Sequence, residues 1–225
     1  MNDILVRPSP VADAVAVALA RTFDLGVRTT PKDASNDEFL YALDDPAAAI
    51  GVVSLECAAW DIIGCCRGPL VLVPAVATMR PGGTPGLIDR VLVPLDGTEE
   101  AVRAVSETAR LFHRAGTEII VLHVFDRTTV PACWDQAAHE RTAWETEFRA
   151  RFCVPHLPHP RPNLVLRSGT PGENVVDVAA RQADLIVLGW SRRLDPGHAH
   201  TVRTTIDTAT VPVMLIPVDN GGRTE

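Results

Sequence analysis

DLIVLGWSRRLDPGHAHTVRTTIDTATVPVMLIPV, residues 184–218, contains two apolar runs separated by an Arg- and His-rich turn and a short helical stretch. Neither run alternates apolar with polar residues, which is the pattern of strands buried on both faces of a parallel sheet. Parallel neighbours need a crossover, and residues 201–208 supply a helix for it. The stretch therefore reads as one β-α-β unit, with its polar turn at the carboxyl end of the first strand.

The same alternation extends upstream. RVLVPL (residues 90–95) reads as a strand, and Thr98 caps a helix whose Val102, Val105, Ala109 and Phe112 recur at helical spacing until Gly116 stops it. A strand at 118–124, a loop at 126–138 and a helix at 139–152 follow, the helix with Trp144, Phe148 and Phe152 four apart on one side. Residues 155–162, rich in Pro and His, are extended or turned; then come a strand at 163–168, a helix at 172–182 and the strand of the opening stretch. Such alternation predicts an α/β fold with a doubly wound, Rossmann-like parallel sheet, five-stranded in this part. Ligands of such sheets bind beyond the carboxyl ends of the strands at the switch point, here around Asp96, Phe125 and Gly189.

Residues 1–78 carry a shorter version of this pattern: strands at 3–7, 25–29, 49–55 and 69–74, and helices at 11–23, 36–44 (capped by Asn36) and 57–66. A shift of 87 residues sets ILVRPSPVADAV (4–15) on VLVPLDGTEEAV (91–102); LGVRTTPKDASNDEFLYAL echoes LVLRSGTPGENVVDVAA, and PLVLVP echoes PVMLIP. The chain thus divides into a shortened repeat (1–78) lacking the second strand and its helix, a Gly- and Pro-rich linker (79–88), a full unit (89–220) and a tail (221–225).

Composition narrows the function classes. A formal charge of −7 disfavours nonspecific nucleic-acid binding, which needs a basic surface. With no 18-residue apolar run and no signal-like segment, the expectation is a cytoplasmic protein without a membrane partner. Five cysteines (57, 65, 66, 133 and 153) fit neither a disulfide framework nor a zinc spacing, so free thiols are expected.

VLVPLDGTEEAVRAVSETA, EIIVLHV, SGTPGENVVDVAARQADLIVLGW and VPVMLIPV, in this order and spacing, resemble a universal stress protein domain over residues 90–218. The two-part layout resembles tandem members of that family found in actinobacteria, with a degenerate first half. The resemblance implies the adenine nucleotide alpha hydrolase-like variant of the Rossmann-like fold, a role in stress response, ATP or another adenine nucleotide as ligand, and a homodimer through the last strand. It also implies Asp96 beside the adenine, with Pro94 and Val124 lining the base. Two roles are open to Asp96: an acceptor for base or ribose, or a cap for the following helix. Pro94 and Val124 are also what any core would place there.

The family's phosphate loop is Gly, two residues, Gly, nine residues, then Gly with Ser or Thr, so that backbone NH groups can wrap an anion. Here Gly189 fills the first place, Arg192 the second, and Ala199 and His200 the Gly-Ser pair. Binding would then rest on side-chain charge (Arg192, Arg193, His198, His200, Arg203) and on the helix start at Thr201. A solvated basic turn is the alternative.

Cys153, His156 and His159 match no strong metal signature, and His139 with Glu140 and Glu147 has no nucleophile beside it. No magnesium-binding carboxylate pair, phosphate-contacting lysine or water-activating base is evident, so a binding and regulatory protein is expected before an ATP-hydrolysing enzyme. Ser9 stands where Asp96 does in the repeat, so the first half is expected to bind no nucleotide and to cover the second in a pseudo-dimer. The alternative function is a nucleotide-free dimeric scaffold for protein partners.

Overall fold

Apolar β-branched runs that cannot leave either face in water build the centre of the molecule: in AAIGVVS every residue from Ile50 to Ser54 is buried. The computed structural model describes residues 2–56, 59–77, 84, 86–125, 138–158, 162–191 and 199–218. The chain runs β1 (Asp3–Val6), α1 (Pro10–Phe23), β2 (Gly26–Thr29), α2 (Asn36–Leu43), β3 (Ala48–Ser54), α3 (Ala59–Cys65) and β4 (Leu70–Val73). It continues with β5 (Arg90–Pro94), α4 (Glu99–Arg114), β6 (Glu118–Phe125), α5 (Ala138–Phe148), β7 (Asn163–Ser168), α6 (Pro171–Gln182), β8 (Leu185–Trp190), α7 (His200–Thr208) and β9 (Val213–Pro217). All nine strands form one sheet in the order β2-β1-β3-β4-β9-β8-β5-β6-β7.

Every pairing is parallel except β4 with β9. That junction sets Leu70 opposite Leu215, Val71 opposite Met214, and Leu72 opposite Val213. In the alignment of PLVLVP with PVMLIP, Val71 and Met214 are equivalent positions, and here they face each other. A local two-fold axis therefore passes between them. Outward from it, β4-β3-β1-β2 on one side answer β9-β8-β5-β6 on the other in position, with β7 beyond; β2, which the sequence aligns with β7, thus takes the place that β6 holds in the other part.

The expected homodimer through the last strand is not shown by this arrangement. β9 has β8 on one side and β4 on the other, so both rows of its backbone groups are used within the chain and no edge is left for a second copy.

The helices divide between two faces. α1, α4 and α5 cover one, through residues such as Leu19, Phe112 and Phe148; α2, α3, α6 and α7 cover the other, through Phe39, Ile62, Val175 and Ile206. Among the described residues of the first part, only α1 packs on the face that α4 and α5 cover. α1 and α4 meet at the ring pair Phe23–Phe112, whose centroids are 4.7 Å apart. Phe112 is wholly buried, which is worth about 1.5–3 kcal/mol of hydrophobic free energy.

Two local expectations are corrected. Ser35, not Asn36, caps α2: its hydroxyl accepts from Glu38 N, and Glu38 Oε2 accepts from Ser35 N at 2.8 Å. Asn36 instead accepts from Arg7 Nη1 of the neighbouring β1 end. The helix expected over 139–152 is α only to Phe148 and then becomes a π-helical turn, Arg149–Cys153. The wider turn keeps Phe148 and Phe152 in contact at 4.9 Å, while Trp144 leans on Phe125 at 5.7 Å and stays partly exposed. Among the described residues no helix is long and apolar enough to cross a membrane.

Candidate functional site

At the end of β5 the chain passes through Pro94 and buried Leu95, then turns at Asp96 and Gly97 into α4. Thr98 is the cap of α4: its Oγ1 accepts from Ala101 N at 3.2 Å. Asp96 Oδ1 accepts from both Thr98 N (2.9 Å) and Thr98 Oγ1 (2.7 Å), so it orients the capping residue. Its other carboxylate oxygen takes no hydrogen bond among the described residues, and the side chain is exposed. The carboxylate thus supports the cap from one oxygen without being the cap itself. Gly97 has φ +88°, and a Cβ there would stand 3.4 Å from His123 Cε1. The turn needs glycine for its backbone conformation and has little room for more.

Pro94 and Val124 are half-buried at the ends of adjacent strands. Val124 packs on the α6/α7 face, and Pro94 shares that face by alternation from Leu92. Gly189, on β8, lies on the opposite face under α4: a Cβ there would meet Ala104 Cβ at 3.6 Å and Ala101 O at 3.7 Å, ordinary contacts that do not demand glycine. α4 thereby ties Gly189 to the Asp96 turn. His200 and Thr201 open α7, exposed and half-buried respectively. The α7 cap, Ala199, is 2% exposed and offers no side-chain hydrogen bond, so among the described residues the first-turn NH groups carry no side-chain cap. Thr201 O would lie 3.3 Å from a Cβ on Gly172, which brings the starts of α6 and α7 together. Arg192 lies outside the described residues, as do Arg193 and His198.

Two residues next to this site were not singled out from the sequence. Trp60 of α3 packs under Arg203 of α7, 5.3 Å from guanidinium carbon to ring centroid, so the first part of the chain touches the helix that opens the turn. His123 of β6 is 8% exposed, its Nδ1 2.8 Å from Leu95 O. A carbonyl only accepts, so Nδ1 carries the proton. The ring packs between Phe125 and Phe148, with centroids 4.6 Å away in both cases. Burial pushes its pKa down, and the Leu95 hydrogen bond and the Asp96 charge oppose that shift. The signal in the sequence was one imidazole in the core-facing register of EIIVLHVF.

Cys153 is buried under the π turn, and desolvation pushes its thiol up to about 11 against the pull of Arg149. No group of three His, Cys, Asp or Glu side chains poised for a metal occurs among the described residues; His159 lies outside them.

A continuous, mostly parallel sheet with helices on both faces defines a Rossmann-like α/β class of protein. The model of the universal stress protein family matches residues 88–217, more than half of the chain, and the chain belongs to that family. Among solved structures, a universal stress protein from Archaeoglobus fulgidus is 17% identical, with TM-score 0.55, covering 88% of this chain and 71% of its own. A putative universal stress protein from Pseudomonas aeruginosa is 16% identical, with TM-score 0.59, covering 97% and 83%. At those identities the likeness is one of fold. The universal stress protein from Archaeoglobus fulgidus in complex with dAMP is 18% identical, with TM-score 0.35, covering 56% and 96%, too distant to carry its ligand over. Among curated protein sequences none matches the chain.

Proposed function

We propose that this universal stress protein is a cytoplasmic binding and regulatory protein that senses an adenine nucleotide at the carboxyl ends of β5, β6 and β8. The observation that carries the reading is the divided carboxylate of Asp96: one oxygen holds the turn and the other stays open at the mouth of the sheet. An acceptor so placed suits the hydroxyls of a ribose or the amine of a base. Pro94 and Val124 offer apolar surface on one side, and the start of α7 offers NH groups and His200 for phosphate.

Because Ala199 and His200 stand where glycine and serine would wrap a triphosphate, the phosphates are held by helix start and side chains, Arg192 included. AMP should then lose little against ATP. Residues 1–78 act as a shortened repeat that binds no nucleotide and supplies β4 and Trp60 to the other part. Isothermal titration with AMP, ADP and ATP tests this: we expect micromolar binding of AMP, weakened about tenfold or more by Asp96→Ala, the loss of a hydrogen bond to a charged group being worth ~1.5–3 kcal/mol. Arg192→Ala should weaken the triphosphate more than the monophosphate. The substituted glycine loop favours a second reading, a scaffold for protein partners, and absence of heat with all three nucleotides would select it.

A further inference from the structure

The β5–α4 turn is supported from below by an ionisable ring. His123 donates to Leu95 O, one residue before Asp96, and its Cε1 lies under Gly97, one residue after it. Phe125, Phe148 and the strand close the remaining sides. Since Nδ1 already carries a proton, a second proton has only Nε2 to go to, and it creates an imidazolium in an almost closed aromatic enclosure.

Among the described residues the charges around the ring are few. From the turn, Asp96 acts on it directly. On α5, Glu145 is engaged with Arg149 at 2.7 Å; on α4, Glu99 is engaged with Arg103 at 2.8 Å and Glu100 is exposed. On β6 itself Glu118 is paired with Arg90 at the opposite end of the strand. On β7, Arg167 is opposite Val124, whose side chain takes the other face of the sheet, and Cys153 under the π turn is a neutral thiol. Among the described residues Asp96 is therefore the group through which a charge on His123 would be felt.

We propose that His123 is the positioning residue of the Asp96 turn and that its protonation is transmitted to that carboxylate, making binding there proton-dependent. The neutral ring holds Leu95 and Gly97 and leaves the free oxygen of Asp96 to a ligand. The imidazolium attracts the same carboxylate and competes with a neutral donor for it, and a ligand covering the turn raises the cost of keeping that cation dry. Affinity for a neutral nucleoside thus falls as pH drops through the midpoint of His123. The ligand half of this rests on the nucleotide reading above; the coupling itself does not.

The test is an NMR titration of the full-length protein, following the His123 ring and the Gly97 and Thr98 amides. Expected is a His123 midpoint below the ordinary ~6.5, shared by both amides, falling further in Asp96→Asn and disappearing from the amides in His123→Gln. Amides that ignore the His123 midpoint, or a midpoint unmoved by Asp96→Asn, overturn the proposal. Adenosine is the binding probe: wild-type affinity should fall several-fold between about pH 7 and about pH 5, and His123→Gln should be flat. A His123→Gln profile as steep as wild type also overturns it. Failure of adenosine to bind at any pH would count against a base or ribose on Asp96, and the ligand-free titration would still decide the coupling.

Discussion

The turn from β1 into α1 and the turn from β5 into α4 begin alike and end differently. Two residues, Arg7 and Pro8, separate Val6 from its cap Ser9; four, Pro94 to Gly97, separate Val93 from Thr98. Ser9 caps α1 through Ala12 N at 3.2 Å, and Thr98 caps α4 through Ala101 N at the same distance. Ser9 is therefore the counterpart of Thr98. The place of Asp96 is missing from the first part, where the expectation had put Ser9 itself. Helix capping survives without the two extra residues, while an exposed carboxylate at the end of the strand does not. The difference separates what the fold requires of this turn from what a ligand would require of it.

The largest effect that sharpens this comparison lies at the helices the two turns lead into. Phe112→Ala should destabilise the protein by about 3–5 kcal/mol, as deletion of a wholly buried aromatic ring does, and Phe23→Ala by less, because Phe23 is only partly buried. Chemical denaturation measures both, and a double-mutant cycle should give a coupling of about 0.5–1.5 kcal/mol for a ring pair in contact. A coupling of zero would break the face-to-face relation of α1 and α4. Smaller and more nearly equal losses are expected at the caps: Ser9→Ala and Thr98→Ala should each cost about 1 kcal/mol. Thr98→Ala alone should also weaken adenine-nucleotide binding, since it removes the hydroxyl bond that helps to hold Asp96 Oδ1 and leaves only the bond from Thr98 N, whereas Ser9→Ala should leave binding unchanged.

The sheet was legible in the sequence because uninterrupted apolar runs such as LIVLGW and VPVMLIPV have one comfortable environment, and capping residues and glycines marked where helices start and stop. The antiparallel meeting of β4 and β9 was not. Alternating strands and helices specify parallel neighbours within each part, but nothing local in PLVLVP or PVMLIP says that the two will face each other rather than a second chain. The position of the expected residues was legible: Asp96, Pro94, Val124 and Gly189 lie at the carboxyl ends of their strands, Gly189 on the opposite face from Pro94 and Val124. Its arrangement was not, because which carboxylate oxygen is used depends on Thr98, and His123 looked like one more residue of a buried strand. The π turn escaped for a similar reason, since hydrophobic spacing of four fits both an α-helix and its wider variant over so short a span.

The central structural claim is that the two parts meet within one chain about an axis between Val71 and Met214. Both side chains lie in the same core and are directly opposite, a geometry that brings Cβ atoms to about 4.5–5.5 Å. A methyl NOE spectrum of selectively labelled protein mixed with unlabelled chain tests it directly. A cross-peak between Val71 and Met214 that vanishes in the intermolecular filtered experiment is predicted; a cross-peak seen only between chains would contradict it.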